Sequence, residues 1–324
     1  MAVKDKVLRD LENNRGKYIS GEALAGSLGV TRNSVWKAIK SLEGQGYEIL
    51  GVPNKGYMLK ATSDVLSVQG IEKYIGTQEG VFEIEVYKRL PSTNDLLKNS
   101  NSKEGRVIVA EQQTAGKGRL GRSFYSPKGT GVYFSLLLTP TIPIDEATAI
   151  TAAAAVAVAE AMEKFTGDDV EIKWVNDIFI KGKKVCGILT EGVFDVENRR
   201  LGQVVLGIGI NLTAPEEGFP GDLGVLAGSV FKEGKSPSDS RNLLVAEILL
   251  RFWPYYKNLG VKSYLSGYRQ RSMVTGKDIL ILRGQDSPKK AKALDIDENF
   301  HLIVETEDGE VEHLSSGEVS IRPL

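Results

Sequence analysis

The spacing of apolar residues changes character twice along this chain of 324 residues, and that change limits what it can fold into. Over the first sixty residues they recur at helical intervals, as in Val7, Leu8 and Leu11, and again in Val35, Ile39 and Leu42. Through the middle, strand-like runs alternate with helical ones. From Thr275 onward only short strands remain, parted by Gly, Asp and Asn turns. A single core usually serves about 100–200 residues, so the three regimes predict three domains, at 1–63, 64–270 and 271–324. The fold class is α+β, with a mixed central sheet and helices against one of its faces.

Composition excludes several alternatives. Hydrophobic residues at 41% and charged residues at 26% are those of an ordinary globular chain rather than a disordered one. The alanine-rich run from Thr151 to Met162 is too short to cross a bilayer. The opening MAVKDKVLRDLENN lacks the apolar core of a signal peptide. A cytoplasmic protein with no membrane partner is expected. The single cysteine, Cys186, has no internal disulfide partner and reads as a small buried hydrophobe. The two histidines, His301 and His313, lack zinc-ligand spacing, which sets a structural metal aside.

A formal net charge of −1 conceals an uneven distribution. Residues 1–60 carry ten Lys/Arg against six Asp/Glu, whereas 271–324 carry seven against eleven. In the basic segment Val3 to Asn13 predicts a helix, Ser20 caps a second helix running to Leu28, and Gly29 makes a turn. Thr31 then caps a third helix, which keeps Arg32, Asn33, Lys37 and Lys40 outward. Tyr47–Val52 and Gly56–Lys60 read as strands around Pro53, Asn54 and Lys55. This is the pattern of a winged helix-turn-helix, whose last helix enters the major groove. Arg32, Ser34 and Lys37, with Lys55 on the wing, are the candidate DNA contacts. A small helical domain that binds protein, or nothing, is the alternative.

Four loop motifs stand out in the middle segment. Pro91-Ser92-Thr93-Asn94 opens a helix, where the polar groups serve either as a cap or as a grip on a polar ligand. In the string from Gln113 to Arg122, the glycines let backbone N–H groups approach an anion, while Lys117, Arg119 and Arg122 supply charge. A solvated basic loop explains the same string. Lys173-Trp174-Val175-Asn176-Asp177 ends a strand on an amide and a carboxylate that could orient a sugar or a metal-bound phosphate. In the run from Gly182 to Leu189, Lys184 directly precedes a buried strand and Gly187 leaves space above the backbone. That run is otherwise a plain hairpin.

Taken together the motifs carry a resemblance. AGKGRLGRSFYSP resembles the glycine- and arginine-rich adenylate loop of biotin protein ligases, and STN, KWVND, KVCGIL and GIGINL follow in that family's order. With the winged helix in front and a small β domain behind, the chain resembles the bifunctional ligase and repressor branch. The resemblance implies a central domain like that of class II aminoacyl-tRNA synthetases and a C-terminal SH3-like barrel. It also implies activation of biotin by ATP and Mg2+ to biotinyl-5'-AMP, then transfer to a lysine of a biotin carboxyl carrier protein or biotin-dependent carboxylase. Ser92, Thr93, Asn94, Gln113, Gly116, Arg119, Lys184 and Gly187 would bind biotin. Arg119, Arg122, Phe124, Asn176 and Asn211 would bind the nucleotide, Asp177 the metal, and Arg119 with Lys184 would act in catalysis. Operator DNA and a ligand-promoted homodimer complete the implied partners, with the strand Gln203–Asn211 a candidate for sheet pairing between subunits. Phe124 stands where the family often has tryptophan, Lys117 and Leu120 where it often has arginine, and Val175 where it often has proline. A regulator that binds ligand without turnover and a lipoate ligase are the competing readings.

Overall fold

The computed structural model describes residues 1–76, 80–98, 102–195, 200–231, 236–283, 287–315 and 319–323. The chain divides into two units, Met1–Val81 with Lys235–Glu247, and Phe82–Gly234 with Ile248–Leu324.

In the first unit the helical spacing folds into α1 (Val3–Asn13), α2 (Gly21–Leu28) and α3 (Arg32–Glu43), followed by β1 (Ile49–Val52) and β2 (Gly56–Leu59). The Ser20 hydroxyl accepts from the Ala23 amide at 3.0 Å, and Thr31 Oγ1 accepts from the Ser34 amide at 3.1 Å. Each satisfies a donor that the first turn leaves open. Gly29 ends α2 in the left-handed conformation. Val7, Leu11, Leu24, Val35, Ile39, Leu42 and Leu59 form the core between the three helices and the hairpin. Tyr57 also bridges to Ile19, which ties the wing back to the segment before α2.

After the wing comes α4 (Val68–Ile75), capped by Ser67. A buried ionic cluster joins it to α1 and to residues from late in the chain. Glu12 Oε2 pairs with Arg15 at 2.8 Å and with Lys73 at 2.6 Å, and its side chain has no solvent exposure. Asp239 pairs with Lys73 and with Arg15, and accepts from Tyr74 at 2.7 Å and Asn242 at 2.6 Å.

The second unit is built on a seven-stranded sheet of β3 (Glu83–Tyr87), β4 (Arg106–Ala110), β5 (Gly131–Leu138), β6 (Val170–Lys173), β7 (Asp177–Ile180), β8 (Lys183–Asp195) and β9 (Arg200–Asn211). Its order is β3-β4-β5-β9-β8-β7-β6, parallel between β3 and β4 and antiparallel elsewhere. β9 therefore lies inside the sheet, hydrogen-bonded on both sides, and its pairing with a second subunit is ruled out by that geometry. The edge strand β6 is covered in turn: the Ile172 amide donates to Arg271 O at 2.7 Å and the Met273 amide to Ile172 O at 2.9 Å.

Around the sheet lie α5 (Thr93–Lys98), α6 (Thr148–Thr166), the single turn α7 (Leu223–Leu226) and α9 (Leu265–Gln270), whereas α8 (Ser240–Lys257) begins in the first unit and ends in the second. The alanines of α6 are buried on every side, and small side chains are what let a helix pack that closely against β6 and β8. Among the described residues no helix is long and apolar enough to cross a membrane. α5 packs Leu97 onto Ile108, Ala110, Leu137 and Val205. Strand register places those four on the same face as Gly187, Gly207 and Gly209.

The chain ends in a five-stranded antiparallel sheet of β10 (Asp278–Arg283), β11 (Lys289–Ile296), β12 (Leu302–Thr306), β13 (Val311–Leu314) and β14 (Val319–Pro323), in the order β13-β12-β11-β10-β14. Phe300, in the turn between β11 and β12, fixes it to the central sheet. Its carbonyl accepts from Trp174 Nε1 at 2.9 Å, and its ring stacks on Tyr264 with centroids 5.4 Å apart.

Gly56 carries the wing. Its φ is +101°, and a Cβ there would lie 2.0 Å from the Ile19 carbonyl oxygen. Gly56→Ala is expected to destabilise the first unit by about 2–4 kcal/mol, from backbone strain and overpacking together. Hydrogen exchange at the Leu24 and Ile39 amides measures this, and wild-type protection would contradict it.

Candidate active site

The second unit holds a cavity of about 290 Å3 on the glycine face of its sheet. Gly187 and Gly209 face each other across β8 and β9, and Gly207 lies two residues before Gly209. A Cβ on Gly209 would come within 2.6 Å of the Phe124 ring, and one on Gly207 within 2.2 Å of Asn94 Oδ1. The three glycines thus form a floor onto which an aromatic ring and an amide descend.

Above one end of this floor, Ser92, Thr93 and Asn94 are nearly fully buried at the start of α5. The Thr93 amide and hydroxyl both donate to Gln113 Oε1, at 2.9 and 3.0 Å, and Gln113 Nε2 donates to Ser126 Oγ at 3.0 Å. Ser126 in turn donates to the Phe124 carbonyl at 3.1 Å. Asn94 Nδ2 donates to Glu191 at 2.7 Å, while Ser135 Oγ lies 2.5 Å from Asn94 Oδ1 and 2.6 Å from Thr93 Oγ1. Capping is thus a minor part of this motif. Ser92 Oγ alone makes a long cap contact of 3.4 Å, to Asp95.

The basic string forms a hairpin. The Phe124 amide donates to Gly116 O at 2.8 Å and the Gly118 amide to Arg122 O at 2.7 Å, around a turn at Arg119–Gly121 in which Leu120 takes a φ of +55°. Gly116 does not line the cavity. It is needed beneath it, because a Cβ there would meet Phe124 O at 2.4 Å. Lys117 pairs with Asp95 at 2.5 Å. Arg119 points inward and donates to Asn176 Oδ1 at 3.1 Å; burial pulls its guanidinium below the ordinary range, partly offset by the charge of Asp177.

Asn176 is held at its amide and its backbone. Its Nδ2 donates to Ile188 O at 2.7 Å, and its carbonyl accepts from the Ile188 amide at 3.0 Å. Next to it Asp177 pairs with Lys184 at 2.6 Å. A bulge in β7–β8 skips Val185 in the register, which brings Lys184 opposite Phe179 and turns it toward the cavity. Asn211 closes this side, donating to Gly228 O at 3.1 Å. Cys186 is fully buried, and burial pushes its thiol far up, so it is no nucleophile at neutral pH.

Ser92, Thr93, Asn94, Gln113, Arg119, Arg122, Phe124, Asn176, Asp177, Lys184, Gly187 and Asn211 therefore all face one cavity. Sequence reading missed Lys173 and the wall formed by Phe219, Leu223, Leu226 and Ala227. The signal was the run from Gly218 to Gly228, whose Leu223 and Leu226 stay more than two-fifths exposed although apolar. Arg32, Ser34, Lys37 and Lys55 lie in the other unit. Arg32 pairs with Glu22 at 2.6 Å, Lys37 is exposed, Ser34 bonds the capping Thr31, and Lys55 lies over the Tyr18 ring. Trp36, half exposed on α3, was not foreseen.

The cavity brings Lys117, Arg119, Arg122, Lys173 and Lys184 together with one carboxylate, Asp177, beside an apolar floor and wall. That suits a ligand with an apolar part and several negative charges. Residues 86–211 match the biotin/lipoate A/B protein ligase family, 4–58 an HTH domain, and 275–322 the biotin protein ligase C terminal domain. The class is thus a protein ligase with a DNA-binding module in front. The bifunctional ligase/repressor BirA of Bacillus subtilis is 35% identical over 90% of this chain and 91% of its own, and that of Escherichia coli 28% identical over 95% and 94%. A biotin protein ligase from Aquifex aeolicus, solved with biotin and ATP, covers 75% of this chain and 99% of its own at 27% identity and a TM-score of 0.63. The chain belongs to the biotin protein ligase family, in its bifunctional ligase/repressor branch.

Because Gly207 admits Asn94, Gly207→Ala must displace that amide from both Ser135 and Glu191. The expected outcome is a stability loss of about 1–3 kcal/mol and biotin binding at least tenfold weaker, read by titration calorimetry on the folded variant. Unchanged affinity would separate Asn94 from ligand binding.

Proposed function

We propose that this protein joins biotin to ATP as biotinyl-5'-AMP in the glycine-floored cavity, then passes the biotinyl group to a lysine of a carboxylase carrier domain. One observation carries this reading: Arg119 with Asn176, and Lys184 with Asp177, converge at 3.1 and 2.6 Å on a pocket with five cations and one carboxylate. Biotin's carboxylate and a triphosphate repel each other, and fixed cations between them remove that barrier while aligning the reacting atoms.

The roles divide along the cavity. Ser92, Thr93, Asn94 and Gln113 offer buried donors and acceptors to the polar head of biotin. Arg119 neutralises the carboxylate and then the phosphate, and Lys184 stabilises charge on the α-phosphate as it develops. Arg122 and Asn211 bind the nucleotide, with Phe124, Leu223 and Leu226 as apolar surface for its base. Asp177 fits Mg2+, which commonly binds through one or two carboxylates together with substrate phosphates; when bound, the ion supplies charge neutralisation on those phosphates. The acceptor lysine amine attacks the acyl carbon of the mixed anhydride directly, forming the amide and breaking the acyl–oxygen bond to release AMP, so no side-chain nucleophile is required, and buried Cys186 offers none.

Lys184→Gln is expected to slow adenylate formation by about 100-fold while biotin still binds, since the contact strengthens only as charge develops. Pyrophosphate release that requires biotin, followed in wild type and variant, tests both the reaction and the residue. A variant near the wild-type rate would remove Lys184 from the mechanism; biotin-independent release in the wild type would sink the reaction itself.

For the N-terminal unit we propose operator binding through α3 and the wing, with Arg32, Ser34, Lys37 and Lys55 at bases or phosphates. Occupancy by the adenylate would promote a homodimer that reads two half-sites. Sedimentation and DNA titration with and without adenylate should show a larger species and tighter binding when it is present. Equal operator affinity in both states would dissolve the coupling.

A further inference from the structure

The two histidines of the chain lie twelve positions apart in sequence, yet both face a single carboxylate oxygen. His313 Nδ1 is 2.9 Å and His301 Nδ1 3.1 Å from Asp297 Oδ2. The register of β12 and β13 produces this: Ile303 pairs with His313, so His301, two residues earlier, is a diagonal neighbour on the same face. Asp297 is held independently of them. Its other oxygen, Oδ1, accepts from the Asn299 amide at 2.8 Å and the His301 amide at 2.9 Å, which fixes the turn and leaves Oδ2 aimed at the two rings.

We propose that Asp297, His301 and His313 form a binding site for a divalent first-row transition ion of the zinc, cobalt or nickel type. Two imidazole nitrogens and a carboxylate suit such ions, and one open position toward solvent remains for water; magnesium and calcium prefer oxygen ligands and are disfavoured. The three ligand atoms lie within 4.8 Å of one another. Around a tetrahedral zinc ion, with bonds of about 2.0–2.1 Å, neighbouring ligand atoms stand about 3.3 Å apart. The two contacts to Asp297 Oδ2, at 2.9 and 3.1 Å, already lie within a few tenths of an ångström of that spacing. In the ion-free state each ring donates Nδ1–H to Oδ2. Ligation needs the other tautomer, with the proton on Nε2, and no net charge change on a neutral ring.

The bound ion joins the β11–β12 turn to β13, and this turn also carries Phe300. The chain makes the test cleaner, because its single cysteine, Cys186, is buried. Untagged full-length protein, stripped with a chelator and free of nucleotide, is titrated with zinc by calorimetry, while the two imidazole Cε1–H resonances are followed by NMR. One equivalent should bind, both resonances should shift together, and a thousandfold excess of magnesium should not reverse it. His313→Gln, at a half-exposed position where the fold is not at stake, and Asp297→Asn should each weaken binding at least tenfold. Absence of a one-to-one event, resonances that stay in place, or variants that bind like the wild type would overturn the proposal.

Discussion

Three missing side chains govern the catalytic unit. Gly187, Gly207 and Gly209 share a face of two adjacent central strands, where a residue without a side chain forgoes packing and costs about 0.5–1 kcal/mol relative to alanine. What they permit is proximity. Asn94 settles over Gly207 and Phe124 over Gly209, and hydrogen bonds then propagate order outward, from Thr93 to Gln113, to Ser126 and to the Phe124 carbonyl. The basic hairpin is anchored at the end of that chain, so the position of Arg119 follows from a vacancy in the sheet below it.

The ion pairs of the two units do different work. Lys184–Asp177 is partly exposed, and such a pair adds about 0–1 kcal/mol to stability. Its use is orientation, with each charge kept in place by the other. The cluster of Glu12, Arg15, Lys73 and Asp239 is far more enclosed. There, loss of one partner leaves a buried charge uncompensated, a cost of about 3–5 kcal/mol. That cluster therefore specifies how α1 and α4 meet.

Much of this architecture was legible in the residues, and what was not has identifiable causes. Ser20 and Thr31 announced their helices because capping chemistry is local. The motifs from Ser92 to Asn211 were legible as a group because they recur in a fixed order, and the fold brings them to one cavity. α4 went unnamed because eight residues, with Val68, Ile71, Tyr74 and Ile75 apolar, give only two turns of periodicity. The run Gln203–Asn211 was misjudged as a pairing edge. A strand apolar on both faces marks the middle of a sheet, which is where β9 lies. His301 and His313 were dismissed on spacing alone, since the register that joins them exists only once β12 and β13 have paired.

The ionic cluster of the first unit also imposes an order of events during synthesis. Glu12, Arg15 and Lys73 leave the ribosome early, whereas Asp239 and Asn242 follow about 170 residues later, and at 5–20 residues per second that delay is roughly 10–30 s. Throughout the interval the three-helix core has its own apolar contacts and Glu12 can pair with Arg15 and Lys73, but the second carboxylate of the cluster, Asp239, is still missing. A nascent chain can thus assemble the reading head before the catalytic strands exist, yet cannot seat its final polar bonds until all seven of those strands have been made. The first unit is thus one domain written in two pieces, its polar interior closed by residues that the chain supplies only after the ligase sheet.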